Sequence, residues 1–95
     1  MINVALFGFG RIGQMHAENL KKNKEIKLLY VYDKIDQLSS RAKKLYGCKI
    51  EKNYNKIFND KKVDIVFISS PTNTHIKLIE EGMKRKKTIF CEKPL

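Results

Sequence analysis

Residues Val4-Ala5-Leu6-Phe7-Gly8-Phe9-Gly10-Arg11-Ile12-Gly13 read as a buried strand that runs into a glycine-rich turn and out into a helix. Twenty residues after Gly13, at the end of a second apolar run, stands Asp33. Strand, glycine turn, helix and acid in this order form the fingerprint of a dinucleotide-binding βαβ unit. Gly8 permits the tight turn out of the strand. Gly10 lacks a side chain, so backbone can approach a pyrophosphate. Gly13 lets the helix pack closely on the strand. The helix offers unpaired N–H groups and the positive end of its dipole to the phosphates. Asp33 is expected to accept hydrogen bonds from the adenosine ribose hydroxyls. A glycine-rich turn alone is a common structural device. Here the strand, the helix and the acid are three independent matches.

The chain has 95 residues, enough for one small domain. A complete doubly wound domain usually needs more, and a dehydrogenase needs a second domain for its substrate. With 32% charged and 42% hydrophobic residues, the composition is that of a soluble globular protein. No apolar run approaches the ~20 residues needed to span a bilayer. The first residues carry no signal-peptide pattern. Cys48 and Cys91 are the only cysteines, with no C-x-x-C spacing or histidine pairing that would suggest zinc, so no metal is expected. Buried free thiols and a cytoplasmic location are the expectation.

The net charge of +10 invites a nucleic-acid reading. Seventeen of the twenty basic residues are lysines, however, scattered from Lys21 to Lys93. The clusters at 21–24 and 84–87 fall at expected helix C-termini, where cations complement the dipole. No aromatic platform or groove-reading helix accompanies them. A lysine-rich surface with no specific nucleic-acid partner and no membrane partner is the better account.

Apolar spacing divides the chain into nine elements. Strands are expected at Ile2–Phe7, Ile26–Tyr32, Cys48–Glu51, Asp64–Ser69 and Thr88–Cys91. Helices are expected from Arg11 to about Lys22 (Ile12, Met15, Ala17 and Leu20 facing the sheet), at Asp36–Tyr46 (Leu38, Ala42, Leu45 inward, Gly47 as stop), at Tyr54–Asn59 (Ile57, Phe58 inward) and at Thr74–Lys84 (Ile76, Ile79, Met83 on one side). The alternation implies an α/β fold, a doubly wound parallel (Rossmann) sheet with right-handed crossovers, ending after the fifth strand. No helix follows to cover that strand, so self-association is expected.

The fourth strand leads into Ser69-Ser70-Pro71-Thr72-Asn73-Thr74-His75. Ligands of a doubly wound sheet lie beyond the C-terminal strand ends at the switch point, flanked by strands one and four. The glycine turn and Ser69–His75 are therefore expected to face one another across a cofactor. Pro71 fixes a turn, and Thr74 is the expected N-cap of the next helix. Asn73 reads equally well as turn chemistry. The fifth strand leads into Glu92-Lys93-Pro94. A lysine beside the cofactor can hydrogen-bond a substrate hydroxyl or shift its proton, and composition alone reads it as one more surface lysine.

Together these blocks resemble the N-terminal half of the Gfo/Idh/MocA family, the glucose–fructose oxidoreductase and inositol dehydrogenase group. The resemblance rests on Gly8-Phe9-Gly10-Arg11-Ile12-Gly13 with His16, on Asp33, on 63–68 leading to Ser69–His75, and on Cys91-Glu92-Lys93-Pro94-Leu95. It covers the whole chain, and the Glu-Lys-Pro block is its most specific part. It implies a Rossmann NAD(P)-binding domain over residues 1–95, with hydride passing between nicotinamide and a carbinol carbon of a sugar or polyol in the complete enzyme. By resemblance Lys93 is the catalytic lysine that contacts nicotinamide and substrate. Gly8 to Gly13 (with Phe9, Arg11 and Ile12), Asp33, Lys34, Ser69, Ser70, Pro71, Thr72, Thr74, His75, Glu92 and Pro94 border the cofactor. His16 reads as a packing or capping residue. The family's remaining catalytic residues belong to a second domain that these 95 residues do not include, so cofactor binding without turnover is expected. A stand-alone NAD(P)-binding or regulatory module is the rival. Asp33 repels a 2′-phosphate and Lys34 offsets part of that repulsion, leaving NAD and NADP both open.

Overall fold

Side chains along a strand alternate between faces, so a parallel sheet covered on both sides needs apolar residues at nearly every position. The first strand, β1 (Ile2–Phe7), meets this requirement. Val4, Ala5, Leu6 and Phe7 are all buried. The computed structural model describes residues 1–69, 72–85 and 87–91, with side chains for all of these except 72–76 and 91. After β1 come α1 (Arg11–Lys22), β2 (Ile26–Tyr32), α2 (Asp36–Tyr46), β3 (Lys49–Ile50), α3 (Tyr54–Asn59), β4 (Ile65–Ile68), α4 (Thr72–Lys84) and β5 (Thr88–Cys91). The five strands form one parallel sheet in the order β3-β2-β1-β4-β5. This is the doubly wound order, with its switch point between β1 and β4.

Two apolar layers cover the sheet. Ala5, Phe7, Val66 and Ile68 meet Ile57 and Phe58 of α3 and Leu78 of α4 on one face. Leu6, Val31 and Cys48 meet Ala17 of α1 and Ala42 of α2 on the other, and Phe9 joins this second layer. Burial pushes the Cys48 thiol up from its ordinary value, and the thiol is free, as expected. Helix α2 stops at Gly47, whose φ of 66° is left-handed. The basic clusters lie where the dipole argument puts them. Lys21 and Lys22 end α1, and Lys84 and Arg85 pair with Glu81 at the end of α4.

Several expectations are corrected. β3 and β4 are shorter than their apolar runs, because a strand extends only as far as a neighbour pairs with it: Tyr30 and Val31 for β3, 65–68 with β1 and β5 for β4. Helix α4 begins at Thr72, so Thr74 is inside the first turn and is not its N-cap. The inward faces also differ. In α1 the buried residues are Gly13 and Ala17, while Ile12 and Met15 are 43% and 51% exposed. Met15 is two positions from both, about 200° round the helix, so it cannot share their face. Ser39 and Ala42 face inward in α2, and Leu45 is exposed. Among the residues of α4 whose side chains are described, Leu78 and Gly82 are buried, Ile79 packs against the same core as expected, and Met83 is exposed.

Candidate functional site

The register sets Phe7 beside Tyr32 on one side and Ile68 on the other, so β1, β2 and β4 end level with one another. The next residue of each strand, Gly8, Asp33 and Ser69, therefore arrives at one place. Hydrogen bonds join them there. Gly8 N–H donates to Tyr32 O (2.7 Å) and Ser69 N–H to Phe7 O (2.8 Å). The Ser69 hydroxyl reaches Gly8 O at 3.1 Å and Phe7 O at 3.3 Å. Asp33 Oδ2 accepts from Phe9 N–H and Oδ1 from Ile35 N–H, both at 2.8 Å.

The three glycines of the turn have separate roles. Gly8 has φ 103°, a conformation other residues rarely adopt. At Gly13 an added Cβ would overlap the Gly8 carbonyl, lying 2.8 Å from its carbon and 3.1 Å from Ser69 Oγ. At Gly10 it would meet no described residue within 4 Å. That open space lies before the first turn of α1, which holds no acidic residue and has no side-chain cap at Gly10. An uncapped helix N-terminus with clear space before it suits an anionic group. The residues present thus fit the diphosphate of a dinucleotide, with the Asp33 carboxylate beside it.

Other expected site residues divide into three groups. Arg11, Ile12 and Lys34 are exposed near this place. The Phe9 ring belongs to the core, edge-on to Tyr46 at 6.1 Å, so only its backbone borders the site. Helix α4 carries Thr72, Thr74 and His75, whose side chains lie outside the described set, as do residues Ser70, Pro71, Glu92, Lys93 and Pro94. The last described residue of β5, Cys91, pairs with Ile68 and is thus level with the other strand ends. His16 packs its ring on Phe67 at 4.6 Å, which is a packing role. Sequence reasoning missed Gln14, whose amide donates to Phe9 O at 3.2 Å. Nothing short of the folded turn signals that contact. A cleft of about 520 Å³ between Tyr46, Leu28, Lys21, Lys27 and Lys49 lies at the N-terminal strand ends. It is at the wrong end of a parallel sheet for the cofactor.

Residues 2–95 match the family profile described as oxidoreductase family, NAD-binding Rossmann fold, that of Gfo/Idh/MocA. The chain belongs to the Gfo/Idh/MocA oxidoreductase family. It is similar to the myo-inositol 2-dehydrogenase of Thermotoga maritima, 40% identical over 95 residues, which cover 99% of this chain and 28% of that protein. Among solved structures it resembles the myo-inositol dehydrogenase of Corynebacterium glutamicum (TM-score 0.91, 33% identity, 99% of this chain, 28% of that one). It also resembles the scyllo-inositol dehydrogenase of Lactobacillus casei with bound NAD(H) and scyllo-inositol (TM-score 0.91, 30% identity, 99% and 28%). The chain thus spans little more than a quarter of these Gfo/Idh/MocA relatives, and it corresponds to their NAD-binding Rossmann domain.

Proposed function

We propose that this Gfo/Idh/MocA chain holds NAD for the oxidation of a cyclic polyol of the inositol type. The observation that carries the proposal is the meeting of Gly8, Asp33 and Ser69 beside the open space at Gly10. The dehydrogenases it resembles act on myo- and scyllo-inositol, which is the support for the substrate class. In this reading the glycine turn takes the pyrophosphate and Asp33 the adenosine ribose. Lys34 and the stretch from Ser69 to His75 border the nucleotide. When bound, NAD supplies the hydride acceptor at its nicotinamide. Lys93, with Glu92 and Pro94 about it, steadies charge on the substrate oxygen, an electrostatic role. Asp33 favours NAD over NADP, because a carboxylate repels a 2′-phosphate at distances that salt screens little.

Positioning of the polyol falls to groups outside these 95 residues, so these residues taken by themselves should bind NAD without turning over inositol. A cytoplasmic setting suits the buried thiol, and weak self-association suits the exposed β5. Calorimetry with NAD tests the central claim. Wild type should bind, and Gly10→Val should not, since its side chain fills the open space. Equal affinity for the two proteins would overturn the proposal.

A further inference from the structure

We infer that Asp33 is a positioning residue for the glycine turn as well as a ligand for ribose. This rests on the nucleotide reading above and adds a second task to one carboxylate. The turn is joined to the end of β2 by two consecutive amides. Gly8 N–H goes to Tyr32 O and Phe9 N–H to Asp33 Oδ2. The first bond is backbone to backbone and survives any substitution. The second depends wholly on the carboxylate, and it sets the plane of the Gly8–Phe9 peptide, next to the residue whose φ is 103°. The other carboxylate oxygen is held by Ile35 N–H, so the side chain is fixed at both ends. Hydrogen bonds to an ionised acceptor are stronger than neutral ones. Loss of this one frees an amide and lets the peptide plane turn at the place where a diphosphate must approach.

The two tasks predict opposite signs. A carboxylate that served only the ribose would repel a diphosphate lacking ribose hydroxyls, and its removal would tighten binding of that ligand. A carboxylate that holds the turn makes removal weaken it. The probe is 2′,3′-dideoxyadenosine diphosphate, titrated beside NAD into wild type, Asp33→Ala and Asp33→Asn. The asparagine has one acceptor oxygen for the two N–H donors of Phe9 and Ile35, so this variant loses the charge and keeps one of the two ties, and the Phe9 exchange reads which one. Amide hydrogen exchange at Phe9, referenced to core amides of β1, reads the tie directly and also reports whether Asp33→Ala remains folded.

Asp33→Ala should lose protection at Phe9 by about tenfold or more and bind the dideoxy diphosphate several-fold more weakly. Asp33→Asn should lose less protection at Phe9 than Asp33→Ala and bind the dideoxy diphosphate more tightly than Asp33→Ala, while binding NAD less well than wild type. Unchanged Phe9 exchange together with equal or tighter dideoxy binding by Asp33→Ala would overturn the inference. Should wild type bind neither nucleotide, the nucleotide reading fails by itself, and the exchange result alone then decides whether Asp33 holds the turn.

Discussion

Gly10 and Gly13 stand three positions apart and require glycine for different reasons. At Gly13 the obstacle is the protein's own backbone, because an added Cβ overlaps the Gly8 carbonyl. At Gly10 no described residue stands in the way, and its φ of −73° is open to any residue. Gly13→Ala should therefore lift α1 from β1 and cost about 2 kcal/mol or more, as overpacking against an unyielding neighbour does. Gly10→Ala should leave stability within about 0.5 kcal/mol while weakening NAD. Thermal unfolding beside NAD titration separates the two. A Gly13→Ala protein as stable as wild type would mean that the helix docks less closely than described. Much of this was legible in the sequence, since the G-x-G-x-x-G spacing states both roles. The tie from Asp33 to Phe9 was not, because it depends on the register that sets Phe7 beside Tyr32.

The elements follow in the expected order, with β3 and β4 trimmed and α4 starting earlier than its punctuation suggested, and Gly47 ends α2 as its type suggests. The helix faces were misread for a physical reason. Ala17 and Gly13 pack inward as expected, but counting bulky apolar residues wrongly added Ile12 and Met15, because close packing on the sheet selects small residues. Their i, i+4 spacing was the available signal. Long-range ties were invisible for another reason, since they join residues far apart in sequence. Lys87, just before β5, donates from Nζ to Asp60 O at 2.7 Å and Val63 O at 2.8 Å, fastening the edge strand to the turn between α3 and β4. Lys87→Met keeps the length of the side chain and removes the donor, so it should cost about 1–2 kcal/mol, read as a lower urea midpoint. No change in midpoint would assign these bonds no net value. Two tyrosines tie elements in the same way. Tyr30 O–H donates to Asp60 at 2.7 Å and Tyr46 O–H to Glu18 at 2.6 Å. Burial first, and the carboxylate partner second, push each phenol from 10.0 up to about 12. The folded value exceeds the unfolded one, so the stability each contributes is whole below pH 10 and is lost as pH rises through about 12. Unfolding measured across that range should show a slope that flattens in Tyr30→Phe and Tyr46→Phe. A slope identical to wild type would remove these phenols from the account.

A charge of +10 on 95 residues and an apolar edge act against each other. Phe90 on β5 is 58% exposed and stacks on Phe67 at 4.8 Å, on the face that α1 covers further along the sheet. Among the described residues β5 pairs only with β4, so in a protein of these 95 residues taken by itself a second copy is expected to pair along its other side. Burying a phenyl ring is worth about 1.5–3 kcal/mol, so a symmetric pair that hides two of them gains roughly twice that. Association itself costs about 4–15 kcal/mol, which leaves little surplus. Charge repulsion reduces it further at low salt, where the Debye length is roughly 30 Å, and less at physiological salt, where it is roughly 8 Å. The balance favours a monomer at micromolar concentration, with pairing confined to very high concentration and strengthened by salt. Sedimentation across a concentration series at two ionic strengths reads this directly. Phe90→Ser should shift the onset to higher concentration and lower the midpoint of unfolding only modestly, since the ring is half exposed and loses its stack on Phe67. A chain that stays monomeric at the highest concentration in both salts, or that pairs more tightly as salt is lowered, would show that this face does not drive association.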